Sequence, residues 1–216
     1  MKEQMERLLL RYPQLKLVEA QIWDAYHLLE TCYENGNRVY VCGNGGSASD
    51  CEHIVGELMK SFRLARPLPD EEKAKWLAGQ EEDTAYQKLV SYLQQGLPAI
   101  SLVSQHALMT AISNDIGSEY IFAQQLYAYA KPGDVLFGIS TSGNSDNVVM
   151  AVLTAKAMGV KTLILSGHSG GKLVELADVC ICCPADKTEE IQELHLPVYH
   201  TLCAMLECRF WKGRNE

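Results

Sequence analysis

Short apolar runs alternate with longer segments of helical periodicity along most of the chain. Three apolar runs share one arrangement: a β-rich stretch ends in a loop of small residues, and a helix follows. The runs are 38–42, 135–139 and 161–165, and their loops are 43–47, 140–145 and 166–171. Two further short runs, 97–102 and 179–183, also predict strands. Strands that alternate with helices indicate a largely parallel sheet that helices cover on both faces.

Two segments lie outside this alternation. Apolar residues from Leu15 to Tyr33 recur at mostly helical spacing, which predicts a long N-terminal helix within residues 1–35. Residues 67–96 carry acidic clusters and then helically spaced apolar side chains, which predicts a helical insertion with a solvated acidic face. The helix after the first loop is expected to extend to about Phe62. With 216 residues, the chain is long enough for one α/β domain, residues 1–216, and too short for two.

Composition and charge narrow the classes of partner. Nineteen Lys and Arg against 27 Asp and Glu give a net charge of −8, which argues against broad binding to nucleic acid or to anionic membranes. An anion therefore needs a local pocket. No apolar run approaches the roughly 18 residues of a membrane span, and the first residues lack a signal-peptide pattern, so we expect a cytoplasmic protein. Most of the eight cysteines are then expected to be buried free thiols.

Two of the strand-end loops have the composition of an anion site. Ligands of parallel α/β sheets bind beyond the carboxyl ends of the strands, where helix N-termini carry partial positive charge. The loop 140–145 offers four hydroxyls before a helix, and the loop 43–47 offers glycines that let backbone approach a ligand. The alternative for each loop is a simple tight turn. Neither loop contains the Walker lysine or the complete G-x-G-x-x-G pattern, which counts against a nucleotide.

Polar side chains on two predicted helices could share a second site. His53 and Glu57 are four residues apart and project from one helix face, while Gln192 and His200 lie eight apart in a later helical run. Imidazole, carboxylate and amide oxygen could together hold a divalent metal such as zinc, or transfer protons. From spacing alone, unrelated polar residues on helix surfaces remain the alternative. For His195, His106 and His168, polar surface residues without a shared site are the preferred interpretation.

Four segments resemble the sugar isomerase (SIS) domain family, and most narrowly its sedoheptulose 7-phosphate isomerase branch. The segments are 41–47, 53–58, 138–145 and 191–200. The resemblance covers nearly the whole chain except 67–96. It implies a flavodoxin-like three-layer α/β/α sandwich with a mainly parallel sheet. It also implies a homotetramer with active sites between subunits, and isomerisation of a phosphorylated ketose to an aldose through an enediol.

The resemblance also assigns roles to particular residues. Glu57 and His200 would be the catalytic acid/base pair. Zinc would be held by His53, Glu57, Gln192 and His200. The residues that would bind the phosphosugar are Asn44, Gly45, Gly46, Ser47, Asp115, Ser140, Thr141, Ser142, Ser145 and Gln192.

Two departures from the family pattern bear on recognition of the sugar. Ser61 stands where members usually carry arginine, and Glu190 stands where a basic residue is common. Lys60, Arg63 or Arg66 are the candidates to replace the missing cation. Two alternative functions stay open: a non-enzymatic tetramer that regulates replication initiation through DnaA, and an isomerase of another phosphosugar. The regulatory branch lacks the histidine found here at position 200, which favours an enzyme.

Overall fold

The computed structural model describes residues 1–213 and is built on five parallel strands. The strands are β1 (Val39–Gly43), β2 (Ala99–Ser101), β3 (Val135–Ser140), β4 (Lys161–Ser166) and β5 (Val179–Cys182). Every residue of β1 and β3 is buried. Burial on both faces explains why these runs are continuously apolar and do not alternate.

In the strand order β2-β1-β3-β4-β5, β2 is added on one side of β1 and the later strands are added on the other side. The chain moves outward from β1 to β2 and then returns to the other side of β1 for β3. Loops that follow β1 and β3 therefore diverge, and a crevice forms at their carboxyl ends. The predicted α/β sandwich with a parallel sheet is confirmed.

Helices cover both faces of the sheet. They are α1 (Lys2–Arg11), α2 (Glu19–Glu34), α3 (Gly46–Met59), α4 (Asp70–Leu77), α5 (Thr84–Tyr92), α6 (His106–Asp115), α7 (Ile121–Tyr129), α8 (Asp146–Ala157), α9 (Leu173–Leu176) and α10 (Thr188–Trp211). No helix in the described part of the chain combines the length and apolarity that a bilayer crossing requires.

The N-terminal region differs from the single long helix that the sequence predicts. A 3-10 helix occupies Pro13–Val18, and α2 begins only at Glu19. Within the predicted range 1–35, α1 forms a separate helix that buries Met5, Leu8 and Leu9. Pro13 has no N–H and fixes its own φ, so it separates the two α-helices. The i, i+3, i+4 spacing of the three buried side chains is the signal that could have found α1.

The segment 67–96 folds as the two short helices α4 and α5, joined at its base by a backbone bridge between Pro67 and Gln94. No side chain of α4 is buried, in agreement with the expected solvated face. Asp83 caps α5 by accepting a hydrogen bond from the N–H of Ala85 at 2.8 Å. Within residues 1–216, positions 214–216 lie outside the described residues.

The helices α3 and α10 run side by side in the same direction. Gln192 near the start of α10 lies against Gly46 at the start of α3, and Tyr199 lies against His53 further along both helices. Glu207 then contacts the loop that follows α3. This parallel packing brings residues about 150 positions apart in sequence onto one line.

Candidate functional site

The loops after β1 and β3 begin next to each other at the carboxyl ends of these two central strands. Gly43 and Ile139 are paired in the parallel ladder, so both loops start at the same level. Ser140 is buried, and its hydroxyl lies 2.9 Å from the hydroxyl of Ser145. The loops lead directly into α3 and α8, whose N-termini add unpaired N–H groups and partial positive charge. This arrangement suits a phosphate group.

The predicted phosphate-binding residues divide by exposure. Ser47 is buried, Thr141 is half-buried and Ser142 is exposed, with the Ser142 hydroxyl accepting a hydrogen bond from the N–H of Asn144 at 3.2 Å. Gly45, with φ +57, forms the turn into α3 in a conformation that favours glycine. The phosphate site formed by these loops thus has two buried serines, Ser47 and Ser140, and two accessible hydroxyl groups, those of Thr141 and Ser142.

Asn44 lies at the edge of a large open cavity beside these loops. The cavity has a volume of about 880 Å³, and Ser113, Tyr120 and Ser145 also line it. Asn44 exchanges two amide hydrogen bonds, of 2.8 and 2.9 Å, with Asn147. Sequence reasoning missed Asn147, because its partner is 103 positions away. Asp115 is exposed at the end of α6 and does not line the cavity, so the structure does not bring it to Asn44 within one chain.

Gln192 lies at the phosphate end of the site. A Cβ atom on Gly46 would come within 2.7 Å of the Gln192 Nε2 atom, so a larger residue there would displace the amide end of Gln192. Eight residues of continuous helix, about 12 Å of rise, separate Gln192 from His200. Within one chain, the structure therefore groups Gln192 with the strand-end loops and not with the histidines. Its role as a zinc ligand stays a prediction.

His53, Glu57 and His200 form a compact cluster whose ligand atoms all lie within 4.8 Å of one another. The His53 Nε2 atom is 3.2 Å from Glu57 Oε1 and 3.3 Å from His200 Nε2. The i, i+4 spacing on α3 brings His53 to Glu57, and the parallel packing of α10 adds His200.

Hydrogen bonds on the far side of His53 determine which of its nitrogens carries the proton. The Tyr199 hydroxyl donates to Asp50 Oδ1 at 3.1 Å and lies 3.0 Å from His53 Nδ1. Burial and the neighbouring Asp50 raise the pKa of Tyr199, so the hydroxyl keeps its single proton. Since that proton goes to Asp50, the hydroxyl oxygen accepts from His53 Nδ1–H. In the neutral form of the imidazole, the Nε2 atom of His53 then has a free lone pair that faces the cluster.

The cluster has the properties of a metal site. The His53 lone pair meets the Glu57 carboxylate at 3.2 Å, and two acceptors at this distance require a proton or a cation between them. Donors at the 2.0–2.1 Å bond length of tetrahedral zinc are separated by about 3.3 Å, close to the two shortest distances here. Glu57 Oε2 is buried without a hydrogen-bond partner, although the Lys60 ammonium lies 3.6 Å away. The residues therefore fit a zinc ion.

His200 occupies a half-buried position at the edge of the cluster. Burial lowers the pKa of His200 below its ordinary value, and the nearby His53 and Arg63 act in the same direction. The Phe62 ring packs on the His200 ring at a centroid distance of 5.3 Å. His200 is thus a neutral imidazole near physiological pH, able to accept a proton or bind a cation.

His195 lies outside the cluster, as predicted, but it is not the surface residue that the prediction assumed. It is completely buried, its Nε2 lies 3.2 Å from the Ser166 carbonyl oxygen, and burial lowers its pKa to about 4. His168 lies on the surface, 3.6 Å from Asp186.

Sequence reasoning missed a buried ion pair beneath the cluster. Arg66 and Glu207 are both buried and joined by a 2.8 Å hydrogen bond. Arg66 also donates to the carbonyl oxygens of Glu57 and Leu58, which fixes the last turn of α3. Arg66 is therefore unavailable to replace a cation that contacts substrate. Among the three candidates, Lys60 lies beside Glu57, and Arg63 stays on the surface near His200.

Comparisons with known proteins agree with this arrangement. A family model described as "SIS domain" matches residues 4–95 and 77–167. Phosphoheptose isomerase of Geotalea daltonii is 40% identical over 188 residues, which are 87% of this chain and 83% of that protein. Phosphoheptose isomerase of Helicobacter pylori strain P12 is 39% identical over 196 residues, 91% of this chain and 88% of that protein.

A solved structure extends the similarity to three dimensions. The phosphoheptose isomerase of Neisseria gonorrhoeae superposes with a TM-score of 0.73 at 30% identity, covering 94% of this chain and 92% of that one. The strand-end loops, the helix-borne cluster and these similarities lead to one conclusion. The chain belongs to the SIS domain family, in its phosphoheptose isomerase branch.

Proposed function

We propose that the protein is a phosphosugar isomerase that converts sedoheptulose 7-phosphate to D-glycero-D-manno-heptose 7-phosphate. The observation that carries the proposal is the cluster that joins Glu57 to His200. Glu57 lies on α3, which begins at the first strand-end loop, and His200 comes from the neighbouring helix α10. From Ser47 to His53 the helix rises about 9 Å, a span that an extended seven-carbon sugar phosphate can cover.

The reaction requires a proton to move from C1 to C2 of the sugar. The Glu57 carboxylate removes a proton from C1 of the ketose, and the electrons of that C–H bond form the C1–C2 double bond of an enediol. His200 moves a proton between the oxygens on C1 and C2. Glu57 then returns its proton to C2, which leaves the carbonyl group at C1. Each group ends in its starting protonation state, so the cycle is balanced.

The strand-end loops would hold the phosphate group through the residues that the resemblance assigns to it. Hydroxyls of Ser142 and Thr141 are open to a ligand, and the N-termini of α3 and α8 stabilise the negative charge. Gln192 and Asn44 are proposed to contact sugar hydroxyls, and the support is that Gln192 lies against Gly46 and Asn44 lies beside the strand-end loops.

Zinc is proposed as the cofactor, with His53, Glu57 and His200 as its ligands from one chain. When bound, it would act as a Lewis acid that stabilises negative charge on the sugar oxygens. The support is the donor set, the free lone pair on His53 and the unpaired Glu57 Oε2 atom.

The decisive test of the function is an NMR assay of the purified protein with sedoheptulose 7-phosphate, with and without zinc. Signals of the aldose heptose 7-phosphate are expected. Product formation from a different phosphosugar alone would favour the isomerase of another substrate. No turnover of any phosphosugar, combined with binding to DnaA, would favour the regulatory alternative.

Removal of metal is expected to abolish turnover. Dialysis against a strong chelator should lower kcat at least 100-fold, because the sugar oxyanion loses its Lewis acid, and added Zn²⁺ should restore it. Metal content per chain is measured in parallel by mass spectrometry. Full activity in protein shown to contain no metal would remove zinc from the reaction.

The double substitution Ser142→Ala and Ser145→Ala is expected to raise KM about 10- to 100-fold, because two hydrogen bonds to a charged phosphate are lost at roughly 1.5–3 kcal/mol each, partly replaced by water. Steady-state kinetics with the sugar phosphate provide the measurement. Thr154→Ala is the control, since its hydroxyl bonds within α8 to the Met150 carbonyl. An unchanged KM in the double variant would exclude this loop from the site.

A cytoplasmic homotetramer with active sites between subunits is proposed for the assembly. Several large apolar side chains are strongly exposed in the single chain, which supports burial against other subunits. They include Leu10 at 82%, Leu17 at 76%, Tyr92 at 81% and Tyr127 at 68% exposure.

A further inference from the structure

A second polar cavity is lined by side chains of α1, of α10 and of the loop that follows α3. Its volume is about 120 Å³, well above the roughly 10–15 Å³ that a single water needs. Gln4, Arg7, Arg11, Arg63 and His200 contribute its polar lining. The cavity shares His200 with the candidate active site, but none of the strand-end loop residues lines it.

The three arginines of this cavity carry uncompensated charge. Within residues 1–213, no carboxylate lies within 4.0 Å of any of their guanidinium groups. Arg7 and Arg11 are four residues apart on α1, where two like charges repel each other. Glu3, one turn before Arg7, is engaged by Lys212 at 3.6 Å. This concentration of positive charge occurs in a chain whose net charge is −8.

One of the three guanidinium groups is already held in position. Arg63 donates a 2.7 Å hydrogen bond to Gln4 Oε1 and lies over the Phe62 ring, 4.9 Å from its centroid. A single hydrogen bond leaves the other N–H donors of its planar fork free. Such forks match the oxygens of phosphate and carboxylate groups in geometry as well as in charge.

We propose that this cavity is a second oxyanion site, which binds the phosphate or carboxylate group of a small anion beside His200. A bound oxyanion would neutralise the repulsion between Arg7 and Arg11 and satisfy donors from two separate elements. The inference rests on the cavity and on three guanidinium groups that have no carboxylate partner within residues 1–213, and it goes beyond the proposed reaction.

Inorganic phosphate is the probe, and isothermal titration calorimetry at low ionic strength measures its binding. The full-length Ser142→Ala, Ser145→Ala protein serves as the background, because phosphate binding at the strand-end loops is weakened in it by the loss of two of the four hydroxyls of the loop 140–145. Addition of Arg7→Gln and Arg11→Gln to this background should weaken phosphate binding at least tenfold. Both positions are exposed on α1 and glutamine is a good helix former, so the fold should be retained. Circular dichroism checks this directly.

The matched control carries Lys16→Gln and Lys88→Gln in the same background, which removes the same charge from exposed positions outside the cavity. It should bind phosphate within about twofold of the background. Affinity in the background should also fall as salt is added. Equal phosphate binding in the arginine variant and the lysine control would overturn the proposal, as would absence of binding in the background.

A competition experiment distinguishes the two sources of the oxyanion. If phosphate still binds in an arginine-dependent way while sedoheptulose 7-phosphate saturates the wild-type protein, the site takes a free anion. If the sugar phosphate displaces that phosphate, the cavity takes the phosphate group of a further sugar phosphate molecule, in addition to the one bound at the strand-end loops. Both results support an oxyanion site and differ only in the molecule that supplies it.

Discussion

Replacement of Glu57 by glutamine is expected to lower kcat by roughly 10²–10⁴-fold, the range that general base catalysis contributes. Glutamine keeps the shape of the side chain but cannot accept a proton from C1 of the sugar. Only 13% of the Glu57 side chain is exposed, so no other base readily takes its place from solvent. KM should change much less than kcat, because the carboxylate acts in the proton-transfer step. The NMR assay or a coupled kinetic assay measures both constants.

Glu52→Gln is the control for Glu57→Gln, since it removes a carboxylate from the same helix at an exposed position. Its side chain accepts a hydrogen bond from Ser104, and its activity should remain within threefold of wild type. Zinc content of the Glu57 variant separates two contributions. If the variant retains zinc but loses turnover, Glu57 acts as the general base. If it loses both, the carboxylate is needed to hold the ion. Activity of the Glu57 variant within threefold of wild type would refute its assignment as the base.

The central part of the fold could be predicted because its signals are local. Buried parallel strands are short continuous apolar runs, and glycines and serines mark the turns where they end. The sequence therefore located all five strands to within a few residues. It missed α6 and α7, which lie between β2 and β3 and do not follow a glycine- or serine-rich strand-end loop of the kind used for the other helices.

The cluster was only partly predictable from spacing. The four-residue interval between His53 and Glu57 is a property of one helix, so the sequence contains it directly. His200 joins them because α3 and α10 pack in parallel, and that packing is set by the whole core. The resemblance to a known family predicted that His200 joins His53 and Glu57. Periodicity alone left open that His200 is an unrelated histidine on a helix surface.

The end of α3 shows why other features could not be predicted. Helical periodicity predicted α3 to about Phe62, but the helix ends at Met59. The Glu207 carboxylate accepts hydrogen bonds from the N–H groups of Phe62, Arg63 and Leu64, which turns the chain away from helical geometry. Glu207 lies more than 140 positions from this loop in the sequence, so no local pattern in either segment predicts the contact.

Replacement of Glu207 by alanine is expected to destabilise the protein by about 3–5 kcal/mol, the usual cost of removing one partner from a buried ion pair. The side chain of Glu207 is 1% exposed and that of Arg66 is not exposed at all, so water cannot replace the lost carboxylate. Three backbone N–H groups lose their acceptor together with the guanidinium. For a domain of this size the midpoint of thermal unfolding should fall by roughly 6–20 °C, measured by calorimetry.

Glu34→Ala provides the matched comparison. It removes an exposed acidic partner of Arg209, and Arg209 lies on the same helix as Glu207. Surface ion pairs contribute at most about 1 kcal/mol, so its midpoint should hardly change. Since Arg66 binds the carbonyl oxygens of Glu57 and Leu58, loss of Glu207 should also loosen the turn that carries the base. Folded Glu207→Ala protein at low temperature should therefore show a lower kcat than wild type. If Glu207→Ala unfolds at the same temperature as Glu34→Ala, the buried pair does not stabilise this end of α3, and the position of Glu57 must be maintained by the packing of α3 against α10 alone.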